Sequence, residues 1–73
     1  MRVYVSAMRV TLNGESRDLR DGLTVAELVD ELGLRARRIA VEINLAILGR
    51  DDYGRRALCD GDVVEIVQFV GGG

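Results

Sequence analysis

The feature that most constrains this chain is an apolar run that leads directly into three glycines. Residues 63–70, Val-Val-Glu-Ile-Val-Gln-Phe-Val, are the most strand-like segment, and Gly71, Gly72 and Gly73 follow without a break. With glycine at about 7% of residues, three in a row arise by chance roughly once in three thousand positions. Two interpretations are open: a frayed terminus, which is common in domains, or a flexible tail whose terminal carboxylate at Gly73 is the functional group.

Composition limits the chemistry that the side chains can perform. The 73 residues make one small domain, near the lower size limit for a single core. The chain has no histidine and no lysine, and Cys59 is its single cysteine. A Ser-His or Cys-His nucleophile pair and a Schiff-base lysine are therefore excluded, and a metal site rich in nitrogen or sulfur ligands is disfavoured. The sequence predicts a protein that is not an enzyme, with no catalytic residue, no metal and no bound cofactor.

Charge and hydropathy narrow the range of partners. The net charge is −2, and no basic patch with interleaved aromatic residues marks a nucleic-acid surface. No apolar run approaches the roughly 18 residues of a membrane span, and the first residues do not have the pattern of a signal peptide. A single cysteine suits a reducing compartment. The sequence thus predicts a soluble, cytoplasmic protein with neither nucleic-acid nor membrane partners.

A hairpin is predicted near the start of the chain. The alternating residues 9–12 are followed by Asn13 and Gly14, the pair that best fits a type I′ turn, and residues 15–19 form a polar returning edge strand.

The domain boundaries follow from where the patterned sequence begins, at Met8, and where the glycines begin. We place the folded domain at residues 8–70 and the functional tail at residues 71–73. Residues 1–7 are interpreted as an N-terminal extension of unknown role.

The pattern that follows is typical of a short amphipathic helix. Thr24 lies three residues before Glu27, which is the spacing of a capping box, and Leu23 and Leu28 can form a hydrophobic staple around it. The apolar stripe consists of Val25, Leu28, Val29 and Leu32. Gly33 is predicted to end the helix in the left-handed conformation.

The connection that leaves the helix is rich in arginine and leads into two further strands. Arg35, Arg37 and Arg38 form either a solvated basic loop or a surface that faces a partner. Residues 39–44 alternate as a third strand, and residues 46–48 are a short fourth strand that Gly49 closes.

The acidic residues and the cysteine of the later loops have a structural interpretation. Asp51 and Asp52 are predicted to cap a single helical turn, with the next residue, Tyr53, covering the lower edge of the core. Residues 60–62, Asp-Gly-Asp, fit a tight turn better than a calcium loop, which would need more ligands. Cys59 is predicted to be a small, half-buried hydrophobic side chain.

These elements predict an α+β architecture with one helix across one face of a sheet. The last strand is the most continuously apolar, as strands covered on both faces are, so we place it in the middle of the sheet beside the first strand. The resulting fold class is a ubiquitin-like β-grasp, with a mixed four- to five-stranded sheet and a flexible C-terminal glycine tail.

The order of these motifs resembles the ubiquitin-like sulfur-carrier family, and within it the ThiS carriers of thiamine biosynthesis. The resemblance spans residues 8–73 and rests on four stretches, namely Leu-Asn-Gly-Glu at 12–15, Thr-Val with Leu at 24–28, Val-Glu-Ile-Asn at 41–44 and Asp-Gly-Asp-Val-Val-Glu-Ile-Val at 60–67 before the glycines. Three features depart from it. Residues 1–7 are extra, Leu45-Ala46 replaces the polar turn residues that members often have, and a third glycine extends the usual pair, as in some members.

The resemblance implies that the protein is a co-substrate. An E1-like adenylyltransferase of the ThiF type would use ATP and Mg²⁺ to adenylate the Gly73 carboxylate, and a sulfur donor such as a cysteine desulfurase would supply the sulfur for a thiocarboxylate. A thiazole synthase of the ThiG type would then take that sulfur. Gly71 and Gly72 would pass through a narrow partner channel, because glycine has no Cβ. Phe69 and Val70 would either contact the partner or pack in the core.

Three alternatives share the predicted fold. One is the small subunit of molybdopterin synthase, although that family often has a proline near its tail and this chain has none. Another is a ubiquitin-like modifier that conjugates to lysines of other proteins. The last is a β-grasp interaction module whose tail has no chemical role.

Overall fold

The computed structural model of the protein describes residues 7–69, and residues 1–6 and 70–73 lie outside that range. Five strands and one α-helix follow one another along the described chain, with two short 3₁₀ turns between them. Their bounds are β1 (Ala7–Leu12), β2 (Glu15–Arg20), α1 (Val25–Glu31), β3 (Ile39–Ile43), β4 (Ala46–Leu48) and β5 (Val63–Gln68). Ala7, which the sequence assigns to the extension, belongs to β1 and pairs with Arg20. The predicted glycine tail lies outside the described residues.

The five strands form one mixed sheet in the order β2-β1-β5-β3-β4. The last strand therefore lies in the middle, parallel to β1 and antiparallel to β3. Together with a single helix packed on one face, this is the ubiquitin-like β-grasp arrangement, and the predicted fold class is confirmed. The two neighbours hold different parts of β5, because β1 pairs only with Val63 and Val64 whereas β3 pairs with the strand as far as Gln68.

The first hairpin has the predicted turn. Asn13 and Gly14 both have positive φ, at 48° and 82°, as a type I′ turn requires. Its returning strand, β2, lies at the edge of the sheet and is largely exposed, in agreement with its polar sequence. The turn between β3 and β4 is similar, because Asn44 and Leu45 have φ of 53° and 71°.

Helix α1 is fixed at both ends by local hydrogen bonds. Thr24 and Glu27 form the complete capping box, with the Glu27 N–H donating to Thr24 Oγ1 at 3.1 Å and the Thr24 N–H donating to Glu27 Oε1 at 2.9 Å. At the other end, Gly33 has φ of 72°. The N–H groups of Gly33 and Leu34 donate to the carbonyl oxygens of Asp30 and Val29, both at 3.0 Å, which is the Schellman pattern. Both helix ends are thus confirmed.

The core lies between α1 and one face of the sheet. Its buried side chains are Met8, Val10, Leu12, Leu23, Val25, Leu28, Val29, Ile39, Val41, Ile43, Tyr53, Leu58, Val64 and Ile66. Tyr53 therefore covers the core, as predicted. The expectation that β5 is covered on both faces is wrong, since only Val64 and Ile66 of this strand are buried. One helix can cover only one face of a five-stranded sheet, so the apolar residues of β5 on the other face remain open.

Two loop predictions also differ from the structure. The 3₁₀ turn at Arg50–Asp52 has no side-chain cap, because Gly49 occupies its N-cap position and Asp52 instead forms an ion pair with Arg55. Cys59 is exposed rather than half-buried. The Cys59 N–H donates to Asp62 Oδ2 at 2.8 Å. The backbone of Cys59 therefore stabilises the turn at residues 59–62, while the residue remains exposed to solvent.

Candidate functional site

The candidate site is the end of β5, where the described chain leaves the sheet. The Phe69 N–H donates to the carbonyl oxygen of Arg38 at 2.8 Å, and this bond holds the strand up to its last described residue. The Phe69 side chain is 57% exposed, so of the two interpretations offered for it the structure does not show core burial. Val70, Gly71, Gly72 and Gly73 lie outside the described residues.

Asn13 holds the side of β5 that faces β1. The backbone pairing of these strands covers only Thr11 with Val63 and Leu12 with Val64. Beyond it, the Asn13 side chain continues the ladder, because its Oδ1 accepts from the Ile66 N–H at 2.7 Å and its Nδ2 donates to the Ile66 oxygen at 3.2 Å. The Asn13 side chain therefore takes the place of a neighbouring strand's backbone at Ile66, three residues before Phe69.

Asn44 holds the start of β5 in a comparable way. Its Oδ1 accepts from the Val63 N–H at 2.9 Å, and its own N–H donates to the Val63 oxygen at 2.8 Å. Asn44 Nδ2 also donates to Asp62 Oδ1 at 2.9 Å. Sequence analysis identified both asparagines as turn or strand residues only. Their second role was missed because it depends on partners far away in the chain.

Asp62 is the buried carboxylate of this region. Burial alone would raise its pKa, but the hydrogen bonds from Asn44 Nδ2 and the Cys59 N–H, together with the Arg56 guanidinium at 3.2 Å, hold the pKa below its usual value. A charged Asp62 therefore stabilises the fold. Both carboxylate oxygens are occupied by protein donors, which explains the residue without a calcium ion.

The lowered pKa of Asp62 predicts a loss of stability in acid. Because its pKa is lower in the folded state than in the unfolded chain, its contribution is complete above the unfolded pKa of about 3.9 and declines as pH falls through the folded pKa. We expect Asp62→Asn to lower the free energy of unfolding by about 1–3 kcal/mol at pH 7, and by less at pH 3. Urea unfolding at both pH values measures this difference. Asp51→Asn, at an exposed carboxylate, is the matched control, and an equal effect of both variants would contradict the assignment.

The sheet face opposite α1 is open and carries apolar and acidic side chains. Val63 and Val67 of β5 and Ile47 of β4 are exposed on it. Glu42 and Glu65 lie directly opposite each other on β3 and β5, a like-charge pair that is unfavourable in isolation. Exposed apolar patches with polar rims are typical of protein interfaces. The presence of only one helix in the sequence was the signal that could have predicted this open face.

Two further classes of site are absent between residues 7 and 69. No group of three or more acidic, histidine or cysteine side chains in that range could hold a metal ion. No helix in the same range has the length and apolar character needed to cross a membrane.

Comparison with known proteins identifies the family to which these features belong. The model of the ThiS family matches residues 10–73, which is most of the chain and includes the glycines. The chain belongs to the ThiS family. Solved structures agree, because the ThiS crystal structure from Geobacter metallireducens has a TM-score of 0.77 and 35% identity, and the match covers 90% of this chain and 100% of that one.

Two kinds of relative of this ThiS-family chain are informative. The sulfur carrier protein ThiS of Bacillus subtilis is 41% identical over 63 residues, covering 85% of this chain and 96% of that protein. The thiazole synthase of Paramagnetospirillum magneticum is 46% identical over 66 residues, covering 90% of this chain. The chain spans about a fifth of the length of the thiazole synthases that it matches. The resemblance to the sulfur-carrier family is thus confirmed.

Proposed function

We propose that this protein carries sulfur for thiamine biosynthesis as a thiocarboxylate on Gly73. The observation that carries the proposal is the central strand β5, which is held as far as Ile66 by β1 and Asn13 and as far as Phe69 by β3 and Arg38, so that the chain is held to within four residues of Gly73. The family match extends through residue 73, and relatives of full length are named sulfur carrier proteins.

The proposed chemistry proceeds in three steps at one carboxylate. A Gly73 oxygen attacks the α-phosphorus of ATP in an E1-like, ThiF-type adenylyltransferase, releasing pyrophosphate and forming an acyl-adenylate, with Mg²⁺ supplied in the partner's site. The terminal sulfur of a donor persulfide, such as that of a cysteine desulfurase, then attacks the acyl carbon and AMP leaves, which forms an acyl disulfide. A thiol reductant cleaves its S–S bond, releasing the thiocarboxylate and leaving the donor sulfur in a disulfide with that thiol. This chain contributes no catalytic residue. Such ATP-dependent chemistry places the protein in the cytoplasm in our proposal.

Glycine suits the tail for a physical reason. Gly71, Gly72 and Gly73 have no Cβ, so their backbone can pass through a narrow channel in a partner. Ordering such residues costs about 1–2 kcal/mol each, and contacts of the folded body must offset that cost. We propose that Phe69, whose side chain is more than half exposed, provides one such contact together with Val70.

The proposed sulfur acceptor is a thiazole synthase of the ThiG type. Relatives named thiazole synthase contain a segment that matches 90% of this chain, so a carrier-like domain and the rest of the synthase occur in one polypeptide. This observation favours the thiamine pathway over a molybdopterin synthase. It also favours sulfur transfer over conjugation to lysines.

Intact mass spectrometry tests this function directly. The protein is incubated with the adenylyltransferase of its own organism, ATP, Mg²⁺, cysteine and a cysteine desulfurase. We expect a mass gain equal to the difference between sulfur and oxygen, its absence without ATP, and its consumption by thiazole synthase but not by a molybdopterin synthase subunit. The Bacillus subtilis ThiS is the positive control for an active assay. If that control is converted and this protein is not, the proposed function is wrong.

A further inference from the structure

A cluster of arginines lies beside the exit of β5 and is not explained by the fold. Its members are Arg35, Arg37, Arg38 and Arg50, all of which are exposed. Arg35 and Arg38 border Phe69 in one depression, and Arg35 also lines a neighbouring depression with Arg37 and Arg50. The ion pairs found within residues 7–69 use other arginines, namely Arg9, Arg20, Arg55 and Arg56. Four positive charges are therefore concentrated in one region of a chain whose net charge is −2.

The local backbone forces these arginines outward. The 3₁₀ turn at Ala36–Arg38 follows the Schellman end of α1, and Leu34 and Ala36 pack against the core. The residues between and after them consequently face solvent. Because the Arg38 carbonyl oxygen accepts from the Phe69 N–H, the arginine segment is attached directly to the last described residue of the central strand.

Two of these arginines line a pocket at the exit itself. An open depression of about 420 Å³ is formed by Gly33, Leu34, Arg35, Arg38, Gln68 and Phe69. Guanidinium groups and an exposed aromatic ring therefore border the same space. Arginine is suited to bidentate recognition of carboxylates, and arginine and aromatic residues are enriched in the parts of interfaces that contribute most to binding.

The length of the remaining chain determines what this pocket faces. Four residues separate Phe69 from Gly73, and at about 3.3–3.6 Å per residue they span at most about 14 Å. An enzyme that holds Gly73 in its active site must then bring its surface within that distance of Phe69. The pocket with Arg35 and Arg38 borders Phe69. When the partner enzyme holds the tail in its channel, this pocket therefore faces the rim of that channel.

We propose that Arg35 and Arg38 form a docking site for carboxylate side chains on the rim of the tail channel of thiazole synthase. The proposal rests on the function proposed above and adds the chemistry of the partner surface. Charge and position carry it together: neither guanidinium group has an ion pair in the described chain, both border the exposed Phe69 at the end of β5, and arginine is suited to bidentate pairing with carboxylates. Opposite charges at the rim of an interface mainly increase the association rate.

Single charge reversals test the docking site. Arg35→Glu and Arg38→Glu each change the net charge from −2 to −4, since +1 becomes −1. The matched control is Arg17→Glu on edge strand β2, which makes the same charge change on an exposed residue outside the pocket. Association and dissociation rates of each full-length variant with the thiazole synthase of the same organism are measured by biolayer interferometry at low and high salt.

The expected result is a slower association for the pocket variants alone. We expect a decrease of about tenfold or more at low salt, which becomes smaller as added salt screens the charges. Unchanged circular dichroism spectra confirm that the variants fold. Equal rates for Arg35→Glu, Arg38→Glu and Arg17→Glu would overturn the docking site while leaving the carrier function intact. If the wild-type protein does not bind thiazole synthase, the proposed function fails instead.

Discussion

A chain that lacks Gly72 and Gly73 is expected to fold like the full-length protein and to gain no sulfur. The buried core residues of the described range 7–69 lie between Met8 and Ile66, so we expect the truncation to leave that core and the sheet intact. It does move the terminal carboxylate back to Gly71. The maximal reach beyond Phe69 then decreases from about 14 Å to about 7 Å.

The size of the loss follows from the geometry of the activation step. The carboxylate must lie within bonding distance of the α-phosphorus in the partner's site, and displacements of about 1 Å can reduce a rate by about a hundredfold. A displacement of several ångströms should therefore reduce thiocarboxylate formation below detection. Intact mass spectrometry after sulfur loading measures this product, and thermal unfolding of the same sample measures the fold.

The two measurements separate a functional tail from an incidental one. An unchanged melting temperature together with the absence of the thiocarboxylate supports the proposal. If the truncated chain is loaded at the rate of the full chain, Gly73 cannot be the site of modification. If the melting temperature falls by many degrees, the glycine tail contributes to the stability of the fold and is not only a functional tail.

The largest effect on stability is expected for Leu23→Ala. Leu23 is 1% exposed and lies directly before the capping box, and its carbonyl oxygen accepts from the Leu58 N–H at 2.8 Å. Its side chain joins Leu28 in the core between α1 and the sheet. Removing a buried leucine side chain costs about 2–5 kcal/mol, because the surrounding structure does not fill the cavity completely. In a domain of this size, each kcal/mol lowers the melting temperature by about 4–8 °C.

The same substitution at an exposed leucine is the matched control. Leu45 is 90% exposed in the β3–β4 turn, so Leu45→Ala should change the free energy of unfolding by no more than about 0.5 kcal/mol. Differential scanning calorimetry of both variants measures the contrast. Comparable melting temperatures for Leu23→Ala and Leu45→Ala would show that the core is not where the structure places it.

Features that depend on a few neighbouring residues were predicted correctly from the sequence. The capping box of Thr24 and Glu27, the Schellman end at Gly33 and the hairpin turn at Asn13 and Gly14 each form within one turn of chain. The residue types at those positions are therefore sufficient to specify them. The central position of β5 was also predicted correctly from its apolar composition, although the coverage of both faces on which that prediction rested is wrong.

Errors arose where a local pattern had more than one structural solution. The apolar residues of β5 were expected to be covered on both faces, but the single helix leaves Val63 and Val67 open. Cys59 was expected to be half-buried because cysteine usually is, yet the turn that Asp62 organises exposes it. In both cases the burial of a side chain depends on which other element reaches it, and the neighbouring sequence does not contain that information.

The sequence by itself determined the secondary-structure elements and their order. It also showed that the chain has no histidine, no lysine and a single cysteine, which is why the Gly73 carboxylate is the reactive group that we propose. The tertiary structure alone decided which distant groups meet. Asn13 pairs with Ile66 across 53 positions of sequence, and the Arg38 backbone meets Phe69 at the strand exit. Such contacts are formed when strands far apart in the chain pair to bury their apolar faces, and for that reason the arginine pocket beside the tail became visible only in the folded molecule.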